Sequence, residues 1–241
     1  MNKIHNNLNI ENLIKTEWIN QFSTLQINVI LEGLVANLDV SIYAKPEYNE
    51  DQMRELKEGL EENLDVSKYA NPDFGWDEMY AIREGLRESL DISLYAKKEY
   101  NSYQMEQLRL GLKSNLDISI YSDPSFHWLQ MKEIREGLEC KVDVSIYAKK
   151  DFTKDQMKQI KEGLIRKLDV SIYANSIYKQ KQMMIIKEAL NQDLNVDILK
   201  NPKLNLKELN AFLTLLELGW NIVLSENEDK TVVVNKEKST L

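Results

Sequence analysis

The chain has 241 residues, 43% of them hydrophobic, with 31 basic and 39 acidic side chains that give a formal charge of −8, enough apolar content to bury a substantial core. A single cysteine, Cys140, excludes an intrachain disulfide and fits a reducing compartment. The opening residues Met1 to Asn7 lack the apolar stretch of a signal peptide, and no apolar run approaches the roughly 20 residues that span a bilayer, so a soluble, cytoplasmic protein is expected.

Taken in chain order, residues 1–20 read as a polar N-terminal cap. A period then sets in. Gly33, Gly59, Gly85, Gly111, Gly137 and Gly163 recur every 26 residues, each followed by leucine. Six residues before each stands Ile27, Met53, Met79, Met105, Met131 or Met157, and five after begins an apolar–Asp–Val/Ile triplet, from Leu38-Asp39-Val40 to Leu168-Asp169-Val170. Tyr43, Tyr69, Tyr95, Tyr121, Tyr147 and Tyr173 keep the same register. Chance does not hold so many columns in phase, and a period of this length is the signature of stacked repeats. The register continues with altered spelling through Ala189 and Leu215, giving six regular units and two degenerate ones. Terminal repeats are atypical because one of their faces has no neighbour.

Within a unit, Met53, Leu56, Leu60 and Leu64 are spaced for one face of a helix over Asp51 to Leu64. Asn49, Asn101 and Thr153, each with glutamine three residues on, spell a capping box, while Gly75, His127 and Lys179 fill that column less well. The glycine lies inside this helix, where it costs about 1 kcal/mol relative to alanine. Ala189 takes its place in the seventh unit, which argues against a positive-φ requirement and for a small-residue contact where the next helix packs closely. Asp39-Val40-Ser41-Ile42-Tyr43-Ala44 reads as a short helix capped by Asp39, with a strand as the alternative that its β-prone spelling keeps open. Tyr48, Phe74, Tyr100, Phe126, Phe152 and Tyr178 are expected to pack under the following loop.

The fold class expected is therefore all-α: an α/α solenoid of about eight 26-residue helical-hairpin repeats, of either hand. Regular units and one degenerate unit occupy residues 21–202; the last repeat and a tail occupy 203–241, with a small β-hairpin expected from Trp220 to Ser225 and Thr231 to Asn235.

Catalytic spelling is absent. Histidine occurs only as His5 and His127, Cys140 falls in a variable column, and the glycines stand singly without a phosphate-binding loop. No catalytic, cofactor or metal site is expected, and the chain does not read as an enzyme. Two charged ladders recur with the repeat. Asp39, Asp65, Asp91, Asp117, Asp143 and Asp169 suit helix capping. Lys57, Arg83, Arg109, Arg135, Lys161 and Lys187 could track phosphates, but acids follow most of them, so a solvated face of mixed sign is expected and direct nucleic-acid binding is disfavoured.

Charge is uneven along the chain. Residues 47–124 hold 18 acids and 9 bases, whereas residues 125–202 hold 11 acids and 14 bases. The acidic half could steer a partner with a basic surface. Candidate partner-binding residues are Glu50, Asp51, Glu58, Glu61 and Glu62, with Trp76 and Trp128 as anchors at positions that are polar in most other units.

The spelling Tyr147-Ala148, Phe152, Gln156-Met157, Ile160-Lys161-Glu162-Gly163-Leu164 and Leu168-Asp169-Val170 resembles short tandem repeats of bacterial and mobile-element proteins, over about residues 22–200. The resemblance implies helical repeats and no particular activity. The leading expectation is a protein–protein interaction module without enzymatic activity. The alternative is an acidic anti-defence inhibitor, like anti-CRISPR proteins, that blocks the nucleic-acid channel of a host nuclease.

Overall fold

A computed structural model describes residues 17–224 and 232–236, which fall into two compact units, Met1–Ile118 and Ser119–Leu241. In the first unit a 3-10 turn, Glu17–Gln21, precedes four α-helices: α1 (Thr24–Val35), α2 (Glu50–Glu61), α3 (Trp76–Arg87) and α4 (Ser102–Lys113). The second holds α5 (Trp128–Glu139), α6 (Lys154–Ile165), α7 (Gln180–Asn191) and α8 (Leu206–Glu217), then strands β1 (Trp220–Leu224) and β2 (Val232–Lys236). In each unit successive helices pack side by side, so each is an all-α repeat stack, and the second also carries an antiparallel hairpin in which Trp220 pairs with Lys236. The N-terminal cap expected for residues 1–20 is described only from Glu17, and the expected tail lies outside the described residues except for Lys236.

Local chemistry makes every unit alike. Asn49 accepts from the Gln52 amide while Gln52 Oε1 accepts from the Asn49 amide, and the same reciprocal box starts α1, α4 and α6. Each box satisfies two amides that a helix start leaves without partners. The glutamine then reaches into the next repeat. Gln52 Nε2 donates to the carbonyls of Pro72 and Phe74, and Gln156 Nε2 to those of Ser176 and Tyr178. One amide side chain thus caps its own helix and clamps the following loop. Gln156→Met is expected to cost about 2 kcal/mol, because three backbone groups, one buried and two partly buried, lose partners worth roughly 1 kcal/mol each and burial of the new thioether returns part. Chemical denaturation measures it.

The third unit solves the same problem differently. Glu78 stands where the glutamine should be and has no donor to offer the next loop. The next loop reaches back instead: the Lys98 ammonium lies 2.8 Å from Glu78 Oε2 and donates to the carbonyl of Asp73, ahead of the helix.

Helix ends depart from expectation. The apolar rhythm extends the second helix to Leu64, but α2 stops at Glu61 and Asn63 turns into the left-handed region, φ 57°. Leu64 then folds back, its amide donating to the Gly59 carbonyl at 2.8 Å. This is the Schellman ending, repeated at Asn37, Ser89, Asn115, Lys141, Lys167 and Asp193. The leucine keeps its place on the apolar face without being helical.

The short element after each ending is a single 3-10 turn, such as Val40–Ile42 or Val144–Ile146, and not a strand. Its aspartate caps it: Asp39 Oδ1 accepts from the amide and the hydroxyl of Ser41. The tyrosine that closes the turn is fully buried. Tyr69 donates to the Glu55 carbonyl at 3.0 Å and Tyr95 to the Ala81 carbonyl at 3.1 Å. Burial pushes these phenols well above their ordinary range, so they remain donors. The helical glycine exists for this tyrosine. A methyl group on Gly85 would overlap the Tyr95 hydroxyl and meet Ile92 Cγ2 at 3.0 Å. The close neighbour is thus the tyrosine of the glycine's own repeat.

Candidate functional site

The residues singled out from sequence fall into two different environments. The first is an ion-pair ladder between neighbouring helices. Arg83 is 5% exposed and contacts Glu55 at 2.9 Å, Glu58 at 2.7 Å and Glu62 at 3.1 Å, all on the preceding helix or its end. Lys57 holds Glu32 at 3.1 Å and Glu61 at 3.4 Å. Arg109 is paired with Glu88 and Glu106, Lys161 with Glu133 and Glu136, and Lys187 with Glu162.

This corrects the solvated face expected of the basic ladder. Arg83, Arg109, Arg135, Lys161 and Lys187 are buried: Arg83, Arg109, Lys161 and Lys187 reach acids of the preceding helix or its end, and Arg135 reaches Glu139 on its own helix. Glu58, Glu61 and Glu62 are therefore components of the fold as well as surface acids. Reversing their charge would disturb Arg83 and Lys57, so a binding loss there would not isolate recognition.

Electrostatics in the ladder follow burial. Glu55 sits above the ordinary carboxylate range, chiefly because burial disfavours its charge, with the Arg83 hydrogen bond pulling the other way. Burial also acts on Glu88, but hydrogen bonds from Lys113 and Arg109 outweigh it and hold that carboxyl below its ordinary range.

The second environment is a groove between α3 and α4. Trp76, Asp77, Tyr80 and Ala81 form one wall, and Ser102, Tyr103 and Glu106 the other, around a cleft of about 360 Å³. Trp76 is 50% exposed, Tyr80 43% and Tyr103 61%. These residues occupy the first, second and fifth positions of their helices, the solvent side of the stack. The Gly75 amide donating to Glu78 and the reciprocal Asn101–Gln104 box fix where the two helices start and hence which way these positions face. Glu50 and Asp51 hold the first two positions of α2, one layer away at roughly 8–10 Å. Neither they nor Asp77 forms an ion pair among the described residues. Glu106 on the opposite wall is engaged by Arg109. The Arg83 guanidinium approaches the Tyr80 ring at 5.5 Å.

Of the sequence-marked candidates, then, Trp76 lines this groove, Glu50 and Asp51 stand one helix back at the start of α2, and Glu58, Glu61 and Glu62 lie in the ladder. Trp128 opens α5 in the second unit and is half-buried. Sequence reasoning missed Tyr80 and Tyr103. The signal was present in the aligned columns: Tyr80 is the one aromatic in a column that reads Asn28, Arg54, Glu106, Lys132, Lys158, Met184 and Asn210 elsewhere, and Tyr103 follows Asp51 and Asp77.

His127 is exposed and serves as a helix cap, its Nδ1 accepting from the Leu129 amide at 3.2 Å. Cys140 is an exposed thiol at the end of α5. Among the described residues no three His, Cys, Asp or Glu side chains come together as a metal-binding group, and no helix is long and apolar enough to cross a membrane.

Comparison of the chain with protein-family models, with curated proteins and with solved structures finds no match.

Proposed function

We propose that this protein is a cytoplasmic recognition module without enzymatic activity, which binds another protein through the exposed side of its helical repeats. The observation that carries this reading is the α3–α4 groove, where Trp76, Tyr80 and Tyr103 keep large apolar surfaces in solvent on an otherwise polar helix face. Clustered exposed aromatics favour a binding surface, since burying them against a partner releases the water they order. Tryptophan and tyrosine are also the residues that dominate interface energetics. The test is affinity capture from lysate of the source cells with the wild-type protein and with Trp76→Ala/Tyr80→Ala, both checked for helicity. Capture of a protein partner at least tenfold better by the wild type is expected. Equal capture by both, or no protein capture alongside turnover of a substrate, would sink the reading.

A second reading is favoured by the excess of acids in residues 47–124. In it the partner is a nucleic-acid enzyme whose basic channel this acidic surface fills, as an anti-defence inhibitor would. Binding should then weaken steeply with salt and compete with DNA or RNA. Charge reversal at Glu50 and Asp51 is the informative variant, because those side chains carry no ion pair of the fold.

A further inference from the structure

We infer that the α3–α4 groove is a receptor for an arginine side chain presented by a basic segment of the protein partner; this rests on the recognition reading above and specifies its chemistry. Three features converge on a cation. Trp76, Tyr80 and Tyr103 present ring surfaces to the cleft, and aromatic faces attract cations through their quadrupole, tryptophan most strongly. The polar groups of the walls are Asp77, Glu106 and the Ser102 hydroxyl, with no basic side chain among the lining residues. Glu106 is already held by Arg109, so the Asp77 carboxylate beside the aromatic rings is the group that complements a positive charge and disfavours an anion such as a nucleic-acid backbone.

Arginine fits better than lysine. Its planar guanidinium is weakly hydrated, stacks on aromatic rings and offers a fork of donors to a carboxylate. The protein already seats one guanidinium this way, that of Arg83 against the Tyr80 ring. Asp77 supplies the carboxylate: its Oδ1 accepts from the Glu78 amide, and it has no internal cation. The cleft of about 360 Å³ is at the small end of the roughly 300–1,000 Å³ usual for ligand pockets, which suits one or two side chains. Glu50 and Asp51, one layer back on α2, extend negative potential toward the flanking residues of a basic segment. A lone arginine would bind weakly, so a segment with several cations is the natural ligand.

Calorimetric titration tests this with capped synthetic peptides of alternating glycine and arginine, and with matched peptides carrying lysine or citrulline. Citrulline keeps the shape of arginine without its charge. The arginine peptide should bind several-fold tighter than the lysine peptide and at least tenfold tighter than the citrulline peptide. Trp76→Ala and Asp77→Asn, with unchanged helicity, should each weaken it fivefold or more, while Met184→Ala on α7 leaves it unchanged. Equal binding of the arginine and citrulline peptides, no measurable binding of the arginine peptide, or full affinity in Trp76→Ala overturns the inference. If partner capture still depends on Trp76 and Tyr80 when the arginine peptide fails, the recognition reading survives and only the arginine assignment falls. A single-stranded oligonucleotide binding more tightly than the arginine peptide, and losing affinity in Trp76→Ala, would also overturn it.

Discussion

Gly85→Ala is expected to destabilise the protein by about 3 kcal/mol, and adding Tyr95→Leu to the same chain should recover more than half of that loss. The new methyl overlaps a hydroxyl whose ring is fully buried, and Ile92 stands 3.0 Å away on the other side. Overpacking of this kind costs roughly 1–3 kcal/mol. Displacing Tyr95 also breaks its bond to the Ala81 carbonyl, worth about 1 kcal/mol. The gain in helix propensity from alanine, about 1 kcal/mol, offsets only part. The rescue is written into the chain itself. Where alanine replaces glycine, at Ala189, the residue ten positions on is Leu199, and both are fully buried. Denaturant melts of the two single variants and the double variant give the coupling. Additive effects would show that the glycine and the tyrosine are not a matched pair.

Arg83→Met should have a comparable effect by a different route, about 3 kcal/mol near neutral pH. Removing one member of a buried pair leaves the other charged and unmatched. Here the member left behind is Glu55, 8% exposed, whereas Glu58 and Glu62 can turn to water. Glu55→Gln in the same chain should recover most of the loss, and Gln107 and Gln159 already occupy that column in other repeats.

The pH dependence gives a second check. Glu55 in the folded protein already holds its proton more tightly than in the unfolded chain, and losing Arg83 raises that affinity further. A group raised in this way contributes its stability below its unfolded pKa and loses it as pH rises through the folded value. The penalty of Arg83→Met should therefore be larger near pH 7 than near pH 5. A penalty independent of pH would assign the effect to lost packing of the arginine stem.

Most of the fold was legible because the repeat shows each position many times over. Helix starts could be read from Asn49, Asn101 and Thr153 with their glutamines, and the buried methionines and tyrosines from their unbroken columns. What escaped was pairing across layers. A column of Lys and Arg beside a column of Glu looks like a solvated face in one dimension. Only when helices stack does Arg83 meet the acids of the preceding helix and leave water. Helix ends escaped for a related reason: Leu64 continues the apolar rhythm in space after the backbone has reversed at Asn63. The groove was half legible. Trp76 stood out as a tryptophan in a polar column, but Tyr103 becomes its neighbour only through the packing of α3 against α4.

The bonds that join one repeat to the next have an evolutionary consequence. Gln52 and Gln156 reach forward to carbonyls, which every sequence supplies, so this part of the joint does not depend on what the neighbour is. A lineage could thus insert or excise a whole 26-residue block by recombination and still close the seam. Side-chain pairs such as Glu78–Lys98 and Arg83–Glu55 are different: shuffled apart, each half would need a matching partner. Gene length should therefore drift in whole blocks, with junctions of this second kind inherited intact.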